Sequence, residues 1–193
     1  FGGMGNDRIA NGTGKYAEAI QHFEKVLQAD PRNIEAFEGI GKAHLELGDK
    51  AKAESTLIRA VTLNRSDWNA YKQLGLFYYR SGNYPRAIEQ FNHVLELSPD
   101  NAQAHNNLGV FHYKLGHTQQ AEAHWKRSLS IKPRPSVYTN LAKLYYDSDH
   151  LPEAEHLYRA AIELDPRSHR VWANLADVLS KKGEKTEAQS AYN

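Results

Sequence analysis

The sequence predicts an all-α fold in which antiparallel helix pairs stack into a solenoid, and three observations predict it. A dipeptide of leucine or isoleucine followed by glycine or alanine recurs every 33 or 34 residues, beginning at residues 40, 74, 108, 141 and 175. A column of alanines and a column of large, mostly aromatic residues run in phase with it. A period of this length is typical of repeat proteins in which each period is one helical unit.

Each period holds two predicted helices. Tyr71, Leu74 and Tyr78 fall at i, i+3 and i+7, so they share one face of a first helix. Ala87 and Phe91 fall at i and i+4 and define the apolar face of a second helix. A single helix pair cannot bury its apolar faces alone, so neighbouring pairs are expected to stack and share one core.

Glycine separates the two helices of a pair, and proline usually follows the second helix. The predicted turns lie at Gly14, Gly48, Gly82, Gly116 and Gly183, with Asp149 in place of glycine once. Glycine adopts the left-handed backbone region without strain, and aspartate tolerates that region better than most residues. The proline ends the second helix because it disfavours helical backbone in the residue before it.

The period divides residues 1–193 into a single predicted solenoid of five to six repeats. Complete repeats are expected at 34–67, 68–101, 102–134 and 135–168, and 169–193 begins a repeat with a truncated second helix. Residues 1–33 contain a good second helix but a divergent first helix, since each glycine in a helix interior costs about 1 kcal/mol. The start at Phe1 and the lack of a polar cap at the other end suggest a piece of a longer chain.

These columns resemble the tetratricopeptide repeat, whose pattern is a bulky residue, Leu-Gly, Tyr, Ala, an aromatic residue and Pro. The pattern is complete in residues 68–101, which carry Tyr71, Leu74, Gly75, Tyr78, Ala87, Phe91 and Pro99. The resemblance covers residues 14–193. It implies a right-handed superhelix whose first helices line a concave groove, and a scaffold that binds a peptide or a segment of a partner protein there.

The resemblance also places candidate groove residues on the first helices. They are Lys72, Gln73, Tyr79, Asn106, Asn107, Tyr113, Lys114, Asn140, Lys143, Tyr146, Arg170 and Asn174. Several of them are basic, which suggests a partner segment with some acidic character.

Two rows of identical residues stand out in this set. Asn107, Asn140 and Asn174 hold one position in three successive repeats, and a primary amide can pair with a peptide backbone through donors and an acceptor. The alternative is that these amides only order the groove surface. Tyr79, Tyr113 and Tyr146 form a second row, which either binds a ligand or packs between adjacent first helices.

The sequence favours no enzymatic site and no cofactor. There is no cysteine, no phosphate-binding loop and no Gly-x-Ser-x-Gly motif. His105 and His112 fall in core columns and are predicted to be packed imidazoles, and no spacing typical of a metal site joins the ten histidines. We therefore predict neither catalytic residues nor a metal.

Charge and hydropathy favour a protein or peptide partner over nucleic acid or a membrane. The 24 basic and 23 acidic residues give a net charge of +1, which provides no footprint for nucleic acid, and no apolar run is long enough for membrane insertion. A cytoplasmic location is expected.

Two alternatives stay open beside the scaffold. The chain is also similar to repeats appended to bacterial serine/threonine kinases and winged-helix regulators, notably at Asp67-Trp68 and Pro99-Asp100-Asn101. It would then be a regulatory or assembly module of a larger bacterial protein. Alternatively, uncovered ends carrying Trp172 and Tyr192 would form a homo-oligomer.

Overall fold

A computed structural model describes the backbone of residues 4–192 and the side chains of residues 14–192. Within that part the chain is entirely helical, as predicted, with no strand. The helices are α1 Met4–Ala29, α2 Ile34–Glu46, α3 Lys50–Leu63, α4 Trp68–Arg80, α5 Tyr84–Leu97, α6 Ala102–Lys114, α7 Thr118–Ile131, α8 Pro135–Asp147, α9 Leu151–Leu164, α10 His169–Lys182 and α11 Lys185–Tyr192. None of these helices is long and apolar enough to cross a membrane.

The chain divides into two compact units. The N-terminal unit, residues 1–98, contains α1 to α5, and the C-terminal unit, residues 99–193, contains α6 to α11. Within each unit, consecutive helices pack as pairs, and each pair packs against the next. Whether the two units continue as one solenoid stays a prediction.

Four of the predicted glycine turns are confirmed by backbone geometry. Gly48, Gly82, Gly116 and Gly183 have φ between 75° and 85°, and Asp149 has φ 61° at the equivalent turn. These angles lie in the left-handed region, where a residue with a Cβ atom is strained. The left-handed residue ends the first helix of each pair and allows the chain to reverse.

One predicted turn is wrong. Gly14 was expected to separate two helices, but α1 runs without a break through it, from Met4 to Ala29. A glycine within a helix costs about 1 kcal/mol relative to alanine, which weakens a helix without forbidding it. Continuing an existing helix adds one hydrogen bond for each residue fixed, so extension through one glycine is favoured over starting a second helix. The side chains of residues 1–13 lie outside the described part of the chain.

Asparagine and aspartate set the starts of several helices. The side chains of Asn33 and Asn101 accept hydrogen bonds from the backbone N–H groups of Ala36 and Ala104, at 2.9 and 3.0 Å. These bonds satisfy donors that the first turn of a helix leaves without a partner. The starts of α2 and α6 are therefore fixed by local hydrogen bonds.

The glycine of the Leu-Gly column permits close contact within a helix pair. A Cβ atom on Gly75 would lie 2.6 Å from Cδ2 of Phe91, and one on Gly109 would lie 2.5 Å from Nε1 of Trp125. Both distances are shorter than van der Waals contact. The large ring of the second helix thus occupies the space that a side chain on the first helix would need.

Stacking between successive pairs is clearest in the C-terminal unit. Ala121 and Trp125 of α7 form a buried cluster with Val137, Leu141 and Leu144 of α8. The next cluster repeats the arrangement between α9 and α10. In this unit α8 and α10 are therefore each enclosed by their own second helix and by the second helix of the preceding repeat.

Candidate peptide-binding surface

Nine of the twelve candidate residues lie on the first helices of the C-terminal unit, α6, α8 and α10. We call this set the first-helix surface; it comprises Asn106, Asn107, Tyr113, Lys114, Asn140, Lys143, Tyr146, Arg170 and Asn174. All nine are exposed or half-buried, in contrast to the buried residues on the opposite sides of the same helices. The surface is therefore accessible and mostly polar.

The asparagines do not form a uniform row. Nδ2 of Asn140 donates to Oδ1 of Asn106 at 3.2 Å, which joins α8 to α6. Oδ1 of Asn107 accepts from Nε2 of Gln103 on its own helix, also at 3.2 Å. Because each amide has two donors and an acceptor, these bonds leave both Asn107 and Asn140 with further capacity.

Asn174 faces a small cavity in the surface. The cavity has a volume of about 190 Å³ and is lined by Lys143, Tyr146, Tyr158, Asn174 and Asp177. Its volume is below the range of typical small-molecule sites, about 300–1,000 Å³, but it can hold part of a bound peptide. An amide, an ammonium and a carboxylate converge here on a partly apolar wall.

Tyr113, Lys143 and Asp147 form a polar cluster that joins α6 to α8. The Tyr113 hydroxyl donates to the Asp147 carboxylate, and Nζ of Lys143 lies 2.9 and 3.0 Å from its two oxygens. Partial burial alone would raise the pKa of Asp147, but the hydrogen bonds from Tyr113 and Lys143 outweigh it and hold that pKa below its usual range. Partial burial, reinforced by Asp147, raises the pKa of Tyr113.

The tyrosines of the second row take part in contacts within and between repeats. The Tyr113 ring lies 5.8 Å from the Trp125 ring, and Nζ of Lys181 in α10 lies 4.9 Å from the centre of the Tyr146 ring in α8. In the N-terminal unit, the Tyr79 ring lies 6.0 Å from that of Tyr84. These contacts favour packing as the principal role of the row.

Two cations of the first-helix surface are not neutralised. Lys114 and Arg170 are exposed, and neither forms an ion pair with any residue whose side chain the structure describes. In the N-terminal unit, Lys72 and Gln73 lie on α4, and Nζ of Lys72 lies 5.2 Å from the centre of the Trp68 ring. Basic groups are therefore available on both units.

Four histidines of α6, α7 and the turn between them form a connected cluster. Nε2 of His105 lies 3.1 Å from the carbonyl oxygen of Pro99, and Nδ1 of His105 lies 3.0 Å from Nδ1 of His124. A carbonyl oxygen only accepts, so a neutral His105 donates from Nε2 and accepts at Nδ1, and His124 donates. His112 stacks on His124 with ring centres 5.5 Å apart, and its Nδ1 lies 3.4 Å from Nδ1 of His117.

Burial favours the neutral form of three of these imidazoles, those of His105, His112 and His124. Burial, with smaller effects from His105 and His112, lowers the pKa of His124 to about 4. Burial also lowers the pKa of His105 and of His112; near His105, the charges of Arg127 and Asp100 act in opposite directions. Within residues 14–192 no three histidine or carboxylate side chains are arranged to hold a metal ion. His105 and His112 are half-buried, and each contacts the ring of His124.

Comparison with known proteins supports the fold and gives the family. Residues 18–193 match the family model described as the C-terminal domain of cilia and flagella-associated protein 70. Over 73 residues the chain is 32% identical to the protein O-mannosyl-transferase TMTC1 of Homo sapiens; this stretch is 38% of the chain and spans only 8% of that protein.

Two solved structures show how far the likeness extends. The tetratricopeptide-repeat protein TTC0263 of Thermus thermophilus is 26% identical, with a TM-score of 0.67 over 86% of this chain and 91% of that one. BtubC (BKLC) of P. vanneervenii is 19% identical, with a TM-score of 0.81 over 95% of this chain and 87% of that one, which shows the fold alone. The predicted fold class, all-α with stacked tetratricopeptide-repeat helix pairs, is confirmed.

Proposed function

Because the chain belongs to the tetratricopeptide-repeat family described as the C-terminal domain of cilia and flagella-associated protein 70, we propose that it is a protein–protein interaction scaffold. The first-helix surface of the C-terminal unit binds an extended peptide or a segment of a partner protein. The observation that carries the proposal is the accessible set of amides and cations on α6, α8 and α10, next to the cavity lined by Asn174.

Amides suit this role because a peptide backbone presents both donors and acceptors. Asn107 keeps its two N–H donors, and Asn140 keeps its carbonyl oxygen and one N–H, after the hydrogen bonds they make within the chain. Together with Asn174 they offer pairing groups from three successive first helices. Pairing of this kind does not depend on the partner's side chains, so it gives affinity without narrow sequence specificity.

Cations add a preference for acidic partners. Lys114 and Arg170 are exposed and unpaired among the described side chains, while Lys143 is held by Asp147. Exposed charges contribute more to the rate of association and to partner choice than to affinity. On the N-terminal unit, Lys72, Gln73 and Tyr79 form a corresponding set on α4, which we propose as a binding surface in its own right.

Affinity capture from a lysate of the source organism tests the proposal. The intact chain is compared with the triple variant Asn107→Ala, Asn140→Ala, Asn174→Ala, after thermal unfolding has shown that the variant is folded. The matched control removes two exposed amides from a second helix, Gln119→Ala and Gln120→Ala. We expect a partner that the triple variant loses and the control retains; equal recovery on all three would contradict a role for the amides.

A second candidate is a repeat module within a larger enzyme. The identity to the human O-mannosyl-transferase TMTC1, although confined to 73 residues, favours it. The reading frame of the full-length gene decides this point. A catalytic domain encoded on the same polypeptide would support the module, and a polypeptide of repeats alone would exclude it.

A further inference from the structure

A second surface of the C-terminal unit, formed mainly by the second helices, contains a larger opening. This α7–α9 opening has a volume of about 550 Å³ and is lined by Lys126, Leu129, Leu141, Tyr145, Pro152, Glu153, His156 and Leu157. Leucine side chains from α7, α8 and α9 form its floor, while Lys126, Glu153 and His156 are exposed. None of these residues belongs to the first-helix surface.

Ion pairs bridge the equivalent place at two other repeat boundaries. In the C-terminal unit, Nη2 of Arg159 on α9 lies 3.1 Å from Oε2 of Glu187 on α11. In the N-terminal unit, Nη1 of Arg86 on α5 lies 2.9 Å from Oε1 of Glu54 on α3. Each pair crosses from one second helix to the next.

At the α7–α9 boundary neither of these two ion pairs has a counterpart. Glu153 occupies the repeat position of Arg86, and Glu122 occupies that of Glu54, so a pair between these two positions would join two carboxylates. Lys126 occupies the position of Arg159, but its Nζ lies 2.6 Å from Oε1 of Glu122 on its own helix. The Tyr145 hydroxyl donates to the same oxygen at 2.7 Å, and these bonds, first from Lys126 and then from Tyr145, lower the pKa of Glu122.

Glu153, at the edge of the opening, is therefore left without a cation of its own from residues 14–192. Glu122 and Glu153 are served by a single ammonium group, and Glu153 forms no ion pair within the described side chains. Glu153 lies in the first turn of α9, where the helix dipole favours a carboxylate. Glu187 lies equally in the first turn of α11 and is nevertheless paired with Arg159, so the dipole does not replace a cation.

We propose that the α7–α9 opening docks an amphipathic helix of a partner protein that carries bulky apolar side chains and a nearby arginine or lysine. The apolar side chains cover the leucine floor, and the basic side chain pairs with Glu153 as Arg159 pairs with Glu187. The volume of the opening lies in the range of about 300–1,000 Å³ typical of binding sites, which suits anchors at i and i+4 of a helix.

Fluorescence anisotropy with two designed probes tests the proposal on the full chain. The first probe is a fluorescein-labelled, alanine-rich helical peptide with leucine at i and i+4 and arginine at i+3 and i+7; the second has glutamate in place of both arginines. We expect saturable binding of the arginine peptide, at least about fivefold tighter than the glutamate peptide, because the exchange replaces an attraction by a repulsion. Equal affinity for the two peptides, or no saturation, would overturn the proposal.

Variants locate the binding on the chain. Glu153→Lys should reverse the preference between the two peptides. Lys126→Arg introduces the side chain that forms the ion pair at the equivalent position, Arg159, so it should weaken binding of the arginine peptide. Glu163→Lys makes the same charge change at an exposed position of the same helix and should leave the preference as it is. If Glu153→Lys and Glu163→Lys behave alike, or if the triple asparagine variant abolishes binding, the peptide docks elsewhere and the proposal is wrong.

Discussion

Acidification should destabilise the α6–α7 helix pair because of His124. In the folded chain the pKa of this imidazole is lowered to about 4 from an ordinary value of 6.5, chiefly by burial. The unfolded chain therefore binds the proton more readily between these two values. Stability is complete above pH 6.5 and falls as the pH decreases towards 4.

The size of the effect follows from the gap between the two pKa values. A gap from 6.5 to about 4 corresponds to about 3 kcal/mol if the ring were fully shielded from solvent. His124 is only half-buried, so screening by water reduces the expected loss to about 1–2 kcal/mol. His105 and His112, whose pKa values burial also lowers, act in the same direction.

The assay compares the free energy of unfolding at about pH 7.5 and about pH 5 for the intact chain and for His124→Leu. Leucine is the residue at this position of the following repeat, Leu157, and it does not titrate. Amide hydrogen exchange in α6 and α7 assigns the loss to this helix pair. Between the two pH values, the free energy of unfolding of His124→Leu should fall by about 1–2 kcal/mol less than that of the intact chain. His169→Leu, at an exposed position of α10, should not show this smaller fall. Parallel pH profiles for the intact chain and His124→Leu would refute the reasoning.

Three further substitutions test the packing within the C-terminal unit, each by urea unfolding. Gly109→Ala forces the buried indole of Trp125 to move and should cost about 1–3 kcal/mol with a shift in tryptophan fluorescence; an unchanged spectrum would contradict the contact. Gly116→Ala has open space around it but a φ of 76°, so it should cost about 1 kcal/mol without any spectral change; no loss would contradict the strain. Ser128→Ala removes a buried hydroxyl that donates to the Ala102 carbonyl at 2.8 Å and should cost about 1 kcal/mol. An unchanged free energy of unfolding would exclude a stabilising role of this hydrogen bond.

The helix pairs and their turns could be predicted from the sequence because each repeat places small and large residues at the same positions. The Leu-Gly column, the alanine column and the ring column recur at one period, so a weak signal in one repeat is supported by the others. At Gly14, by contrast, the repeat pattern predicts a turn, but the backbone continues as helix. A period indicates where turns are usual, but it does not decide whether a glycine breaks a particular helix.

Two buried columns of the first helices were missed, one containing Phe77 and Leu144 and the other containing Val137. Phe77, Val137 and Leu144 are buried although they lie outside the face formed by the predicted core positions. A first helix that packed only against its own second helix would require one apolar face. In the structure a first helix also contacts the preceding second helix, so a wider part of its circumference is apolar.

The candidate residues were placed on the first helices correctly, but their partners could not be predicted. Asn140 pairs with Asn106 rather than with Asn107, and Tyr113 donates to Asp147 in the next repeat. Such contacts depend on side-chain conformations, which a repeat period does not encode. The α7–α9 opening was also missed, although comparing Lys126 with Arg159 and Glu153 with Arg86 at equivalent positions would have indicated it.

Photo-crosslinking tests the central claim, binding at the first-helix surface, most directly. The photoreactive residue p-benzoylphenylalanine replaces Asn174, which lines the small cavity, or Glu163, which is exposed on the second helix α9. Both proteins are irradiated with the partner recovered by affinity capture. The account predicts a crosslink from position 174 and none from position 163. A crosslink from position 163 with none from position 174 would show that the partner lies on the second helices and would contradict the account.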